Sequence, residues 1–101
     1  MNVFTVIPHR KVKSDDEPLL IKAGLFDNYM NIIRLLKENP YSRQLNGWEL
    51  MVPHKRKIYS CRINDQHRIV YTVNKREHVV KIWSAWSHYE KRLPRDYKPI
   101  D

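Results

Sequence analysis

The sequence predicts an α+β fold in which an N-terminal strand and two helices pack on a twisted antiparallel β-sheet. A short β-branched and aromatic run comes first, apolar residues then recur at helical spacing, and from residue 58 the period changes to two. Helices that precede a run of strands pack together on one face of the sheet. The length of 101 residues predicts one domain spanning residues 1–101.

The first half of the chain predicts one strand and the helical region. Residues 3–7 are predicted to form a short strand. Residues 9–23 are predicted to be helical, and Pro18 leaves open whether this stretch holds one helix or two. Residues 25–38 are predicted to form a further helix, because apolar residues recur there at helical spacing. This apolar stripe consists of Leu25, Tyr29, Ile32, Ile33 and Leu36.

The second half predicts an antiparallel meander. Residues 41–57 are predicted to be a loop with a brief strand at 48–52, and residues 90–101 are predicted to be an irregular, partly ordered tail. The third meander strand is apolar on both faces, which is typical of a strand in the interior of a sheet. The three meander strands are predicted at residues 58–63, 67–73 and 79–86.

Alternation within the meander separates an apolar face from a face that carries arginines. Arg62 and Arg68 are predicted on neighbouring strands of an open face, where two guanidinium groups repel each other unless an anion is present. Solvated surface arginines would give the same pattern, so placement alone leaves both interpretations open. The predicted helix-covered face consists of Tyr59, Cys61, Ile63, Ile69, Tyr71 and Val73.

Charge and composition indicate a polyanionic partner. The net charge is +8, and residues 51–101 hold twelve basic and five acidic side chains. The single cysteine, Cys61, excludes an intramolecular disulfide and is predicted to be an inert core residue. The five histidines show no close ligand spacing, so no metal or other cofactor is predicted. No signal peptide or membrane span is recognised, and the cytoplasm is the expected location.

Two side chains are candidates for proton transfer. His88 follows the third meander strand, and histidine is well matched to donating a proton near neutral pH, although a packing role at a strand end is the common alternative. Glu49 lies in the loop before the meander, where most carboxylates are simply solvated.

The run from Tyr59 to Tyr71, followed by His88-Tyr89, resembles the signature of the YoeB/Txe toxins in the RelE/ParE superfamily. Pro40 and Trp48-Glu49-Leu50 also match positions where that family has a proline and a glutamate-containing loop. The resemblance is strong from about Leu25 to Tyr89. The chain departs from it in having a cysteine at position 61, where the family often has an arginine, and in extending beyond Tyr89, where many members stop.

The resemblance implies a RelE-like fold and cleavage of messenger RNA in the decoding site of a ribosome. It assigns Glu49 as general base, Arg62 and Arg68 as phosphate-binding residues, His88 as general acid and Tyr89 as an aromatic that packs at the scissile nucleotide. The chemistry needs no metal and no protein nucleophile, because RNA carries its own nucleophile, the 2′-hydroxyl.

The resemblance also implies the partners. A cognate antitoxin that is acidic, partly disordered and YefM-like is expected to mask the site, and the ribosome and its message are the other partners. A second copy of the chain is a further candidate, and no membrane partner is expected. Lys55, Arg56 and Lys57 are expected to dock on ribosomal RNA. Two alternatives remain: a non-catalytic gyrase inhibitor of the ParE type, and a basic RNA-binding module without catalysis.

Overall fold

A computed structural model describes residues 3–86 and 89–99, and its strands form one five-stranded sheet. In chain order the strands are β1 (Thr5–Pro8), β2 (Glu49–Leu50), β3 (Ile58–Arg62), β4 (Arg68–Asn74) and β5 (Val79–Ser84). The α-helices in these ranges are α1 (Glu17–Lys22) and α2 (Phe26–Glu38). The sheet order is β1-β5-β4-β3-β2, in which β1 pairs with β5 in parallel and the other pairs are antiparallel. The predicted α+β fold is confirmed.

The first helical stretch is continuous but changes its winding. A π-helical turn at Val12–Asp16 leads directly into α1, so the structure settles the choice between one helix and two in favour of one segment. Pro18 is tolerated because it lies in the first turn of α1, where its missing N–H costs no helical hydrogen bond. Gly24 ends the segment with a φ of +74°, a left-handed value that glycine adopts without strain.

The helix-covered face of the sheet contains the main core. The apolar stripe of α2 packs there as predicted, with Tyr29 and Leu36 fully buried. Cys61 is also fully buried, and burial raises the pKa of its thiol to about 12, so the thiol stays protonated at neutral pH. The predicted position of this cysteine in the core is therefore confirmed. The strand residues of this core are Tyr59, Cys61, Ile63, Ile69, Tyr71, Val73, Val80 and Ile82.

The sequence predicted that the opposite face of the sheet is open. The structure shows that this face is partly covered. A second cluster of buried side chains lies there, with Ile58, Val70 and Trp83 from the strands and Leu93 from the C-terminal tail. Burying an apolar side chain of this size contributes about 1.5–3 kcal/mol, which gives the described part of the tail a reason to pack. Tyr89 begins a short 3₁₀-helix (Tyr89–Lys91) and contacts the same cluster.

None of the described helices is long and apolar enough to cross a membrane.

Candidate active site

A short edge strand positions Glu49. β2 has two residues, and its register places Glu49 opposite Ser60 of β3. The turn before it contains Gly47, whose φ of +62° is left-handed and favours glycine. The Ser60 hydroxyl donates a long hydrogen bond of 3.4 Å to Glu49 Oε1. Because β2 is the edge of the sheet, the Glu49 side chain is still 59% exposed and accessible to a ligand.

Arg68 is held in a defined orientation at the start of β4. Its Nη2 donates to the Ser60 hydroxyl and to the Gly47 carbonyl, at 2.9 Å in each case. The same nitrogen is 3.4 Å from Glu49 Oε1, which forms an ion pair. These partners come from β3, from the turn before β2 and from β2 itself. The sheet register and the turn therefore fix the guanidinium together.

Arg62 lies directly opposite Arg68 in the antiparallel register of β3 and β4. Opposed residues share one face of a sheet, so the predicted placement of the two arginines is confirmed. The Arg62 side chain runs against the Gly47 backbone, where an added Cβ would lie 2.8 Å from Arg62 Cγ. A side chain at position 47 would therefore displace the Arg62 side chain, and the left-handed φ independently favours glycine. The exposed guanidinium of Arg62 has no ion-pair or hydrogen-bond partner within residues 3–86 and 89–99.

These side chains border an open cleft of about 440 Å³ on the face of the sheet opposite the helices, called the second face below. The cleft brings together three of the residues assigned by the sequence analysis, Glu49, Arg68 and Tyr89. Arg62 stands beside it and is not part of its lining. His88 lies outside the described residues, so its assignment stays a prediction. The lining consists of Glu49, Met51, Ser60, Gln66, Arg68, Val70, Trp86, Tyr89 and Glu90.

Six of the nine lining residues were not predicted as site residues, among them Gln66, Trp86 and Glu90. Gln66 belongs to the turn that joins the arginine-bearing ends of β3 and β4, and that position was the signal that could have found it. Trp86 was assigned to the third meander strand, but β5 ends at Ser84 and Trp86 lies beyond it, stacked on His67 at 3.8 Å between ring centroids. Glu90 adds a second carboxylate to the cleft, next to Tyr89 in the chain.

The basic run before β3 is less uniform than the sequence suggested. Lys55 is exposed, and Lys57 ends the 3₁₀-helix His54–Arg56 with a left-handed φ of 53°. Arg56 is half-buried and donates from Nη2 to the carbonyl of Pro94 in the tail, at 3.2 Å. Lys55 is therefore exposed to a polyanion, Lys57 is half-buried, and Arg56 is half-buried and bound to the tail.

The chemistry of the cleft is that of a carboxylate beside a guanidinium. A carboxylate can accept a proton, and an arginine can bind a phosphate and stabilise negative charge that develops on it. Across the described part of the chain, no three His, Cys, Asp or Glu side chains are grouped so that they could hold a metal ion.

The described fold superposes on solved proteins of the YoeB and RelE type. The YoeB/ParE toxin from Agrobacterium tumefaciens superposes with a TM-score of 0.71 at 22% identity, over 85% of this chain and 100% of its own. A chain of the YoeB-YefM complex from Staphylococcus aureus superposes with a TM-score of 0.68 at 22% identity, and the match covers 85% of this chain and 98% of its own. A chain of the archaeal RelE-RelB complex from Pyrococcus horikoshii superposes with a TM-score of 0.65 at 20% identity, and the match covers 85% of this chain and 94% of its own.

The chain therefore has the RelE/YoeB fold. No protein-family model and no curated protein matches it.

Proposed function

We propose that this chain is the toxin of a toxin–antitoxin pair and cleaves messenger RNA on the ribosome as an endoribonuclease. The observation that carries the proposal is the contact between Glu49 and Arg68 in an open cleft that Tyr89 also lines. The RelE/YoeB fold supports it, because the solved proteins of that fold include named toxins.

The proposed reaction is an attack of the RNA 2′-hydroxyl on the adjacent phosphate. Glu49 takes the proton from the 2′-hydroxyl, the O2′–P bond forms, and the P–O5′ bond breaks as the leaving 5′-oxygen takes a proton from His88. The products are a 2′,3′-cyclic phosphate and a 5′-hydroxyl. Arg68 and Arg62 stabilise the charge that builds on the phosphorane oxygens. The reaction needs no metal ion, because the substrate supplies the nucleophile.

The observed ion pair suits this reaction. Glu49 and Arg68 are 59% and 34% exposed, so their attraction is screened by water and contributes little to stability. A phosphate can therefore take the place of the Glu49 carboxylate on Arg68 at little cost, which leaves the carboxylate available as a base. The Ser60 hydroxyl and the Gly47 carbonyl keep Arg68 in place during that exchange.

The proposed partners follow from charge and from the neighbours. Residues 51–101 carry an excess of seven positive charges, which suits the phosphates of a decoding site and an acidic, partly disordered antitoxin segment. The neighbours include a YoeB-YefM toxin–antitoxin complex, a RelE-RelB complex and a YoeB dimer. We propose a YefM-like antitoxin as the partner that silences this chain, and a second copy of the chain as a further one.

The test is message cleavage with purified, programmed ribosomes, followed by sequencing of the RNA ends. The wild-type chain should cut the message within the ribosomal A site and leave 5′-hydroxyl ends. Glu49→Gln should lower the single-turnover rate about 10² to 10⁴-fold, since it removes the general base. Glu38→Gln is the matched control, because Glu38 is also exposed and also pairs with an arginine, at 3.2 Å from Arg34 on α2.

Equal rates for wild type and Glu49→Gln would contradict the assignment of the base. An intact message would contradict the nuclease. Inhibition of gyrase supercoiling by the same preparation would then point to a ParE-like activity, and binding of RNA without cleavage would point to a plain RNA-binding module.

A further inference from the structure

One buried carboxylate anchors both ends of the segment that carries Tyr89. Asp16, the last residue of the π-helical turn, is 1% exposed. Its Oδ2 accepts a hydrogen bond from the backbone N–H of Ala85 at 2.9 Å, just after β5. The same carboxylate accepts two hydrogen bonds from Arg92, from Nη1 at 2.6 Å and from Nη2 at 3.0 Å. Residues 85 and 92 are thus both bound to a side chain of the N-terminal helical segment.

Arg92 also closes the turn in which Tyr89 lies. The backbone N–H groups of Arg92 and Leu93 both donate to the Tyr89 carbonyl, at 2.9 Å in each case. Arg92 Nη1 donates in addition to the carbonyl of Trp83, at 3.2 Å. The guanidinium therefore connects the 3₁₀-helix of Tyr89 to β5 and to Asp16.

Stability alone is a poor explanation for such a pair. The Arg92 and Asp16 side chains are 9% and 1% exposed, and removing two charges from water costs about as much as their attraction returns. Apolar residues of similar volume would often stabilise the same place equally well. The charged pair instead fixes the relative orientation of the two side chains, because the planar guanidinium binds a carboxylate through two parallel hydrogen bonds. The hydrogen bond to Asp16 also raises the pKa of Arg92.

We infer that Asp16 and Arg92 are positioning residues of the cleft, and that their ion pair holds Tyr89 at the place where the scissile nucleotide would lie. For its effect on cleavage, this inference rests on the proposed function. The pair does not touch the substrate; it acts through Tyr89. The C-terminal tail is accordingly a part of the site rather than an appendage to it.

Hydrogen exchange tests the geometric part without any activity. The amides of Arg92 and Leu93 report directly on the turn, because both donate to the Tyr89 carbonyl. In Arg92→Met, these amides should exchange at least about 10-fold faster than in wild type, while the amide of Tyr71 in β4 stays protected. Arg92→Lys keeps the charge and loses the fork, and should give an intermediate rate. Unchanged exchange at both amides in either variant would overturn the inference.

A double-mutant cycle tests the functional part. Arg92→Lys should lower the single-turnover cleavage rate about 10-fold to 100-fold at saturating ribosomes, with the affinity for ribosomes within about twofold of wild type. In a Tyr89→Leu background, Arg92→Lys should lower the single-turnover cleavage rate by less than about twofold, because the tyrosine that Arg92 positions is already absent. Leu36→Ala, a core variant on the other face, should lower stability and leave the rate of the folded protein unchanged.

Independent, multiplicative losses in the cycle would show a general structural role and overturn the positioning inference. If wild type itself cleaves no message, the proposed function fails, and the exchange measurement alone then decides whether the ion pair holds the turn of Tyr89.

Discussion

The helix-covered face of the sheet is built mainly from aliphatic and aromatic side chains, whereas the opposite face alternates apolar residues with hydroxyls and arginines. On the opposite face, Ser60 and Thr72 are buried and both are hydrogen-bonded: Ser60 accepts from Arg68, and Thr72 accepts from Trp83 Nε1 at 3.0 Å. Buried hydroxyls of this kind are costly unless they are paired. The buried hydroxyls of this second face, the face opposite the helices, therefore depend on their hydrogen-bond partners.

The second face is itself divided. Leu93 and the rest of the described tail cover the apolar cluster, while the end with Glu49 and Arg68 remains open as the cleft. The main core therefore lies on the helix-covered face and the proposed chemistry on the opposite face, with Tyr89 at the border between tail and cleft. Variants of the main core should lower stability alone, whereas variants of the opposite face should also lower the cleavage rate.

Among the variants that compare the two faces, the largest effect is expected in the open part of the second face. Arg68→Ala should lower the single-turnover rate of message cleavage about 10² to 10³-fold, because it removes a preorganised donor for the phosphorane charge. It should also lower the free energy of unfolding, measured in urea, by about 1–3 kcal/mol, because the buried Ser60 hydroxyl loses the donor from which it accepts.

Arg34→Ala is the matched control for this variant. Arg34 also forms an exposed arginine–glutamate pair, but on α2. A similar loss of rate in both variants would mean that total charge, rather than the position of Arg68, matters for cleavage.

The sequence predicted the helix-covered face well, because that face depends on local periodicity. The helical spacing from Leu25 to Leu36 and the alternation in β3 and β4 predicted which side chains are buried together. The same alternation placed Arg62 and Arg68 on one face. The apolar pattern of β5 correctly indicated an interior strand, with β1 and β4 on its two sides.

The second face could not be predicted in the same way, because its contacts are distant in the sequence. Asp16 and Arg92 are 76 residues apart, and no periodic pattern connects them. One strand boundary was also predicted wrongly: β5 was expected to extend to Trp86 but ends at Ser84, and the N–H of the next residue, Ala85, donates to the distant Asp16. The role of His88 stays a prediction from the resemblance.

A pair of buried leucines tests the comparison between the faces directly. Leu36→Ala should destabilise the protein by about 3 kcal/mol, because Leu36 is fully buried in the main core, and should leave the cleavage rate of the folded protein unchanged. Leu93→Ala should cost about 2 kcal/mol and also lower the rate, because Leu93 is in the turn that carries Tyr89. Urea denaturation and single-turnover cleavage at a temperature where both variants are folded provide the two measurements.

The opposite result, an unchanged rate in Leu93→Ala together with a lowered rate in Leu36→Ala, would remove the separation between the faces.

The smallest expected effect concerns the two lysines before β3, of which Lys55 is exposed and Lys57 half-buried. Lys55→Gln/Lys57→Gln should weaken ribosome binding on the order of 10-fold at moderate salt and reduce the slope of log affinity against log salt by about 1.5, because two phosphate contacts are lost. The rate at saturating ribosomes should not change, since neither lysine lines the cleft. Arg56 is left in place, because its hydrogen bond to the Pro94 carbonyl ties it to the tail and its loss would mix docking with positioning. Lys22→Gln/Lys37→Gln removes the same charge from the helices and should have a weaker effect; equal losses in the two double variants would mean that net charge alone, rather than this surface, directs the chain to the ribosome.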